Sequence, residues 1–171
     1  MIGFDYRAET PWEAVAEFQA FFHTVSAGYE SIYLIANSIG AFFALCSLGE
    51  APIKQAFFIS PVVNMEKLIC DMMRWANVTE QELRTKRVIP TPFGETLSWD
   101  YLLWVRNHPL LWTIPTEILC SAADHLQSPD TIRRFAGEHD ASVTVMENGE
   151  HWFHTEEQMQ FLDTWLKQAV R

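Results

Sequence analysis

The sequence predicts an α/β protein, with an open and mostly parallel sheet of about five strands flanked by helices and interrupted by a helical insertion. Three observations carry this. Apolar, β-rich runs alternate with amphipathic helical patterns along most of the chain. Residues 32–45 pass from a strand-like run to a helical one within two residues of Ser38. Residues 62–112 break the alternation with several short helical patterns in succession.

Taken in order, residues 2–5 form a short apolar strand candidate. Thr10, Pro11 and Glu13 make a capping box with proline at the first helical position, so a helix starts there. Val15, Phe18, Phe22 and Val25 recur at helical spacing and give it one apolar face, and Gly28 stops it. Residues 31–36 are the next strand, buried on both faces by their composition. A helix follows Ser38 to about Leu48 and is closed by Gly49. Residues 53–60 are a third strand, broken by Pro61. In the insertion, Asn64 caps a helix carrying Leu68, Ile69, Met72, Met73 and Trp75. Thr79 and Glu82 form a second capping box, residues 91–94 turn between the strands of a small hairpin, and Ser98 opens a helix that ends by Pro109. The core rhythm then resumes. Residues 116–121 are a fourth strand ending near Asp124, Ser128 and Pro129 start a helix, and residues 142–146 are a fifth strand followed by His151. Thr155 and Gln158 cap a last helix whose Phe161, Leu162, Trp165 and Leu166 pack on the sheet. The division predicted is one domain over residues 1–171, with a core of 1–61 and 113–171 and a helical cap of about 62–112.

At 171 residues, with 49% hydrophobic and 20% charged, the chain is sized and composed for one globular domain with a real core. A net charge of −10 leaves no basic face to neutralise phosphates, which argues against nucleic acid and anionic membrane as partners. Cys46, Cys70 and Cys120 are scattered in apolar runs and read as buried reduced thiols of a cytoplasmic protein, neither a disulfide frame nor a zinc site. Residues 1–7 lack the basic start and apolar stretch of a secretory signal. Asn37, Ser38 and Gly40 interrupt the one run that approaches membrane-span length, so no membrane span is expected.

The chemistry centres on Ala36-Asn37-Ser38-Ile39-Gly40. A strand that turns sharply into a helix lifts one hydroxyl above the strand end, and small residues two before and two after it relieve the crowding. A serine hydroxyl is a weak nucleophile until a base takes its proton. Asp124 and His151 follow downstream, each just after its own strand-like run, in the order serine, acid, histidine. Each also has a plainer reading: Ser38 as a turn serine, Asp124 as a turn former with Asp130 as a competing acid, and His154 as a competitor of His151. His151, His154, Glu156 or Glu157 and His125 could offer metal ligands, but the spacing is not diagnostic. No metal or other cofactor is therefore expected.

These residues resemble the catalytic apparatus of the α/β-hydrolase family, and the likeness extends from Phe4-Asp5-Tyr6-Arg7 to the last helix. The family's serine motif is G-x-S-x-G; here Ala36 stands in the first glycine position and Gly40 keeps the second. Gly149-Glu150-His151 is similar to the family's final Gly-x-His segment, and the loop after the fourth strand is where the family places its acid. The resemblance implies a carboxylesterase-like serine hydrolase acting on a small acyl ester, thioester or amide, with Ser38 as nucleophile, His151 as base and Asp124 as orienting acid. It makes the backbone N–H of Ile39 one oxyanion donor, and acyl transfer to another acceptor would use the same residues. Substrate-pocket candidates are Asn37, Met72, Trp104 and Trp152, although most bulky residues of the cap read first as its own core.

Residues 4–7 look like the family's fourth strand, which implies that its first three strands do not precede them. The second oxyanion donor normally comes from a His-Gly segment after the third strand, and none precedes Ser38. Three accounts stay open: a truncated or misassigned reading frame, a donor from the loop of residues 6–10, or a second copy of the chain covering an open sheet edge as a homodimer. The rival functional reading is a catalytically silent α/β-hydrolase-like binding or interaction module.

Overall fold

The computed structural model of the chain describes residues 1–170, so Arg171, the last residue of the expected domain, lies outside the description. The described residues form two compact units, residues 1–63 with 111–170 and residues 64–110.

The first unit is built on a four-stranded parallel sheet of β1 (Tyr33–Asn37), β2 (Gln55–Ile59), β5 (Thr116–Ser121) and β6 (Ala141–Met146), in the order β1-β2-β5-β6. β2 and β5 lie in the middle, and the buried Phe57, Phe58, Ile118 and Leu119 are what their apolar runs are for. Successive side chains point to opposite faces of the sheet. Phe57 and Ile59 therefore join Leu119, Met146, Phe153 and Trp165 in one cluster. Phe58 faces the other way, against Trp112 at 5.4 Å between ring centroids. The cluster is covered by Phe161, Leu162 and Leu166 of α7 (Glu156–Ala169), the apolar stripe expected from the sequence.

Helix α1 (Pro11–Ser26) starts where Thr10 presents its N–H and its hydroxyl to the Glu13 carboxylate. It packs with α2 (Ser38–Ser47) through Phe18 and Phe43. α6 (Pro129–Glu138), with Ser128 accepting from the Thr131 N–H, packs on β6 and β5. α7 is capped by Thr155, which accepts from the Gln158 N–H, while the Gln158 side chain accepts from His154 N–H.

Two strand expectations are corrected. Residues 2–5 are not a strand, so the sheet has four strands rather than about five. Their apolar pattern serves packing instead: Phe4 stacks on Phe21 at 4.0 Å and meets Phe18 edge-on. β1 is not buried on both faces, because it is the edge of the sheet; Tyr33 and Ile35 remain 38% and 39% exposed.

In the second unit, α3 (Met65–Trp75) is capped by Asn64, whose side chain accepts from Lys67 N–H at 2.9 Å. α4 (Glu80–Lys86) carries a complete capping box between Thr79 and Glu82. The hairpin β3 (Val88–Pro90) and β4 (Thr96–Ser98) leads into α5 (Trp99–Asn107). Leu83, Leu97 and Leu102 are fully buried, and Arg106 ties the three helices by donating to Glu66 on α3 and to Glu80 on α4. Asp71 receives Lys67 and Arg74 from its own helix. No helix among the described residues is long and apolar enough to cross a membrane.

Candidate active site

Ser38 is the first residue of α2, directly after the last residue of β1, so no loop residue separates strand from helix. The change of direction is absorbed at Ser38 itself, whose φ is 48°, while Asn37 remains extended at −120°. Two hydrogen bonds pin the turn. The Val62 N–H donates to the Ser38 carbonyl at 3.2 Å, and the Asn37 amide donates to the Ile59 carbonyl at 3.1 Å. The space beside Gly40 is filled by a side chain from the start of the chain. A Cβ there would come within 3.3 Å of the Tyr6 hydroxyl, so a tyrosine ring fills the space.

Asp124 sits in the turn after β5, and its Oδ1 accepts from the N–H groups of Leu126 (2.8 Å) and Gln127 (3.1 Å). This leaves Oδ2 for His151 Nδ1 at 2.7 Å. A carboxylate can only accept, so Nδ1 carries the proton and Nε2 is left as an acceptor. Ser38 Oγ lies 2.8 Å from that Nε2. Ser38, Asp124 and His151 are buried to 8%, 6% and 6% exposure, with every polar atom of the chain of contacts engaged, so the buried charge is not orphaned.

The loop bearing His151 is held to the loop bearing Asp124 by the Ala123 N–H, which donates to the Gly149 carbonyl at 3.2 Å, and the Gly149 N–H donates in turn to Met146. A Cβ on Gly149 would stand 2.8 Å from that of Ser121, so only glycine fits between the two strand ends. Phe153, two residues past His151, has φ 46°, and Ser60 after β2 has φ 43°.

The other sequence candidates are dispersed. Asp130 is an exposed partner of Arg133, and His154 is an exposed partner of Glu150 at 3.3 Å. Among the described residues no group of three or more His, Cys, Asp or Glu could hold a metal ion. Trp152 stands 68% exposed with its ring edge-on to His151 at 4.9 Å, and Asn37 is exposed beside Ser38. Met72 on α3 and Trp104 on α5, the latter stacked on His108, belong to the second unit. Sequence reasoning missed Gln127, which is fully buried and accepts from the Val63 N–H. No local signal marks it.

In the loop of residues 6–10, the backbone N–H groups of residues 7–10 are already engaged. Glu17 accepts from the N–H groups of Arg7 and Ala8, and Glu13 from those of Glu9 and Thr10. The Ile39 N–H, in the first turn of α2, has no acceptor four residues back within the helix.

A parallel sheet whose strand ends carry a left-handed serine, a histidine and a carboxylate in this arrangement is the α/β-hydrolase fold, and the chain has that fold. Solved structures agree. The chain is similar to the alpha/beta hydrolase domain-containing protein 10 from mouse, with a TM-score of 0.71 and 14% identity over 94% of this chain and 69% of that one. It is also similar to Est1E from Butyrivibrio proteoclasticus, with a TM-score of 0.74 and 12% identity over 95% and 72% of the two chains. A monoacylglycerol lipase from Paleococcus ferrophilus matches with a TM-score of 0.61 and 17% identity over 94% and 75%. No family model matches the chain, and no curated protein matches it by sequence.

Proposed function

We propose that this chain is a serine hydrolase that cleaves a small acyl ester, or a related thioester or amide, through an acyl-enzyme on Ser38. The observation that carries the reading is the unbroken relay from the Ser38 hydroxyl through His151 to Asp124. His151 Nε2 takes the hydroxyl proton as Oγ attacks the acyl carbonyl, and returns it to the leaving group as the tetrahedral intermediate collapses. Asp124 holds the Nδ1–H tautomer and stabilises the imidazolium between those steps. Water then repeats the sequence on the acyl-enzyme. Ile39 N–H, at the positive end of α2, donates to the developing oxyanion. Asn37 and Trp152 border the acyl carbonyl; an exposed tryptophan beside the histidine supplies apolar contact to a bound ester. That similar structures carry the names esterase and monoacylglycerol lipase supports the acyl-ester class. The unpaired thiols support a cytoplasmic location.

A silent binding module is favoured by one observation: the four consecutive N–H groups of residues 7–10 are all engaged by Glu17 and Glu13. Labelling with a fluorophosphonate serine probe, read by intact mass, separates the two. Stoichiometric labelling of the wild-type chain that is lost in Ser38→Ala and His151→Ala is expected. Folded wild-type protein that takes no label would refute hydrolase function.

A further inference from the structure

The relay requires Ser38 and Asp124 to stand one ring apart. An imidazole is rigid, so Oγ at 2.8 Å from Nε2 and Oδ2 at 2.7 Å from Nδ1 are reached together only at one spacing of the two turns. Ser38 directly follows β1 and Asp124 follows β5, with β2 lying between those strands. The chain leaving β2 joins the two sides. Ser60 turns it at φ 43°, and successive N–H groups then diverge. Val62 N–H donates to the Ser38 carbonyl at 3.2 Å, and Val63 N–H donates to the Gln127 side-chain Oε1 at 3.1 Å.

Gln127 completes the connection with its main chain and its side chain. Its backbone N–H donates to Asp124 Oδ1 at 3.1 Å, beside the Leu126 N–H at 2.8 Å. Its side-chain Nε2 donates to the Leu126 carbonyl at 2.8 Å; an amide nitrogen only donates, so this contact turns Oε1 toward Val63. The residue is fully buried and cannot touch a substrate. Burying an amide is costly unless its groups are paired. What the paired amide adds here is a fixed length between the turn that bears Asp124 and the segment that holds Ser38 by its carbonyl.

We propose that Gln127 is a positioning residue whose side chain sets the distance between the Asp124 turn and Ser38, so that one imidazole hydrogen-bonds both. Its effect on turnover rests on the serine-hydrolase reading, whereas its effect on the contact between Asp124 and His151 does not. No proton and no bond changes hands at Gln127. Without its amide, Asp124 keeps both backbone donors but its turn is free to drift from the nucleophile. All three reacting groups remain present, and their alignment is what is lost.

The test compares wild type, Gln127→Met, Asp124→Asn and the double variant of the full chain. Methionine matches the length of the side chain and lacks the amide. For p-nitrophenyl butyrate, kcat of Gln127→Met is expected to fall at least about tenfold and up to about 10²-fold at little-changed KM, because misalignment costs rate without removing a substrate contact. In the Asp124→Asn background the same substitution should add little, since both act on one orientation. The proton on His151 Nδ1, buried and bonded to a carboxylate, gives a far-downfield NMR resonance that is assigned by its loss in His151→Ala. That resonance is expected to weaken or move upfield in Gln127→Met. A residue that merely satisfied Val63 would lower the melting temperature and leave the resonance alone. A folded Gln127→Met with the wild-type resonance, or with kcat within about threefold of an active wild type, overturns the assignment. If folded wild type shows no turnover, the hydrolase reading falls and the resonance alone decides the positioning role. Should Gln127→Met not fold, Gln127→Asn, a methylene too short to reach Val63, takes its place in every comparison.

Discussion

Replacing Asp124 with asparagine changes one atom pair and inverts the proton logic of the site. The Asp124 Oδ1 is held by two backbone donors, Leu126 N–H at 2.8 Å and Gln127 N–H at 3.1 Å. In the variant the amide oxygen must stay there, because the flipped amide would set its NH₂ against both donors, at about 1–3 kcal/mol for each group left unsatisfied. The amide nitrogen then faces His151 Nδ1, which can accept it only without a proton. The imidazole proton moves to Nε2, and Nε2 now donates to Ser38 Oγ instead of accepting from it. On the serine-hydrolase reading proposed above, the serine loses its base while every heavy atom keeps its place. A loss of about 10⁴ in kcat is expected, equivalent to about 5.4 kcal/mol of transition-state stabilisation at 1.36 kcal/mol per decade. The melting temperature should stay close to wild type, since both loop hydrogen bonds survive. Asp124→Ala forfeits those bonds, and should lose both activity and stability. Hydrolysis of p-nitrophenyl acetate, with protein unfolding followed in parallel, reads both quantities. An Asp124→Asn protein within about tenfold of wild-type kcat would refute the tautomer argument.

Gly149→Ala forces a Cβ to 2.8 Å from that of Ser121 and 3.1 Å from that of Met146, atoms fixed to strand ends that cannot rotate away. The expected cost is about 1–3 kcal/mol, or roughly 2–12 °C in Tm for a chain of this size; an unchanged thermal melt would contradict it. Burial opposes the ionisation of Asp71, but hydrogen bonds from Lys67 and Arg74 outweigh it and hold the carboxyl below its ordinary value of 3.8. A depressed folded-state pKa contributes stability that is fully present above the unfolded value and is lost as pH falls through the folded one. The difference in urea midpoint between wild type and Asp71→Asn should therefore shrink as pH is lowered from about 6 to about 2, and a constant difference would contradict the account.

The fold class was legible because its signals are local. Thr10, Asn64, Thr79, Ser98, Ser128 and Thr155 each stand at a helix start, and apolar runs mark β2, β5 and β6. Ser38 could be found from its position between a strand-like run and a helical one, and Asp124 and His151 from their places after β5 and β6; the structure brings the three into hydrogen-bond contact. What escaped depends on partners distant in the chain. Whether residues 2–5 pair as a strand, and whether β1 is covered on both faces, is decided by neighbouring strands, not by their own composition. Gln127 supports Val63, 64 residues away, and Tyr6 meets Gly40 through the packing of α1 on α2. Neither leaves a mark in the local pattern.

Backbone strain supplies a map of the molecule that ignores side-chain chemistry. Among the described residues, five other than glycine have positive φ. Two of them, Asn77 and Arg87, lie directly after the last turns of α3 and α4, where the chain must leave the helical path. The remaining three, Ser38, Ser60 and Phe153, have no such excuse, and each lies just beyond the carboxyl end of a parallel strand or in the loop leading from one. Each left-handed residue costs about 1–3 kcal/mol that glycine would largely relieve. Glycine would relieve the strain at Ser38 and Ser60, whereas at Phe153 it would also empty a place in the core cluster. With every side chain erased, the uneven distribution of this conformational cost would still pick out the same end of the sheet as the part of the molecule shaped by something other than folding.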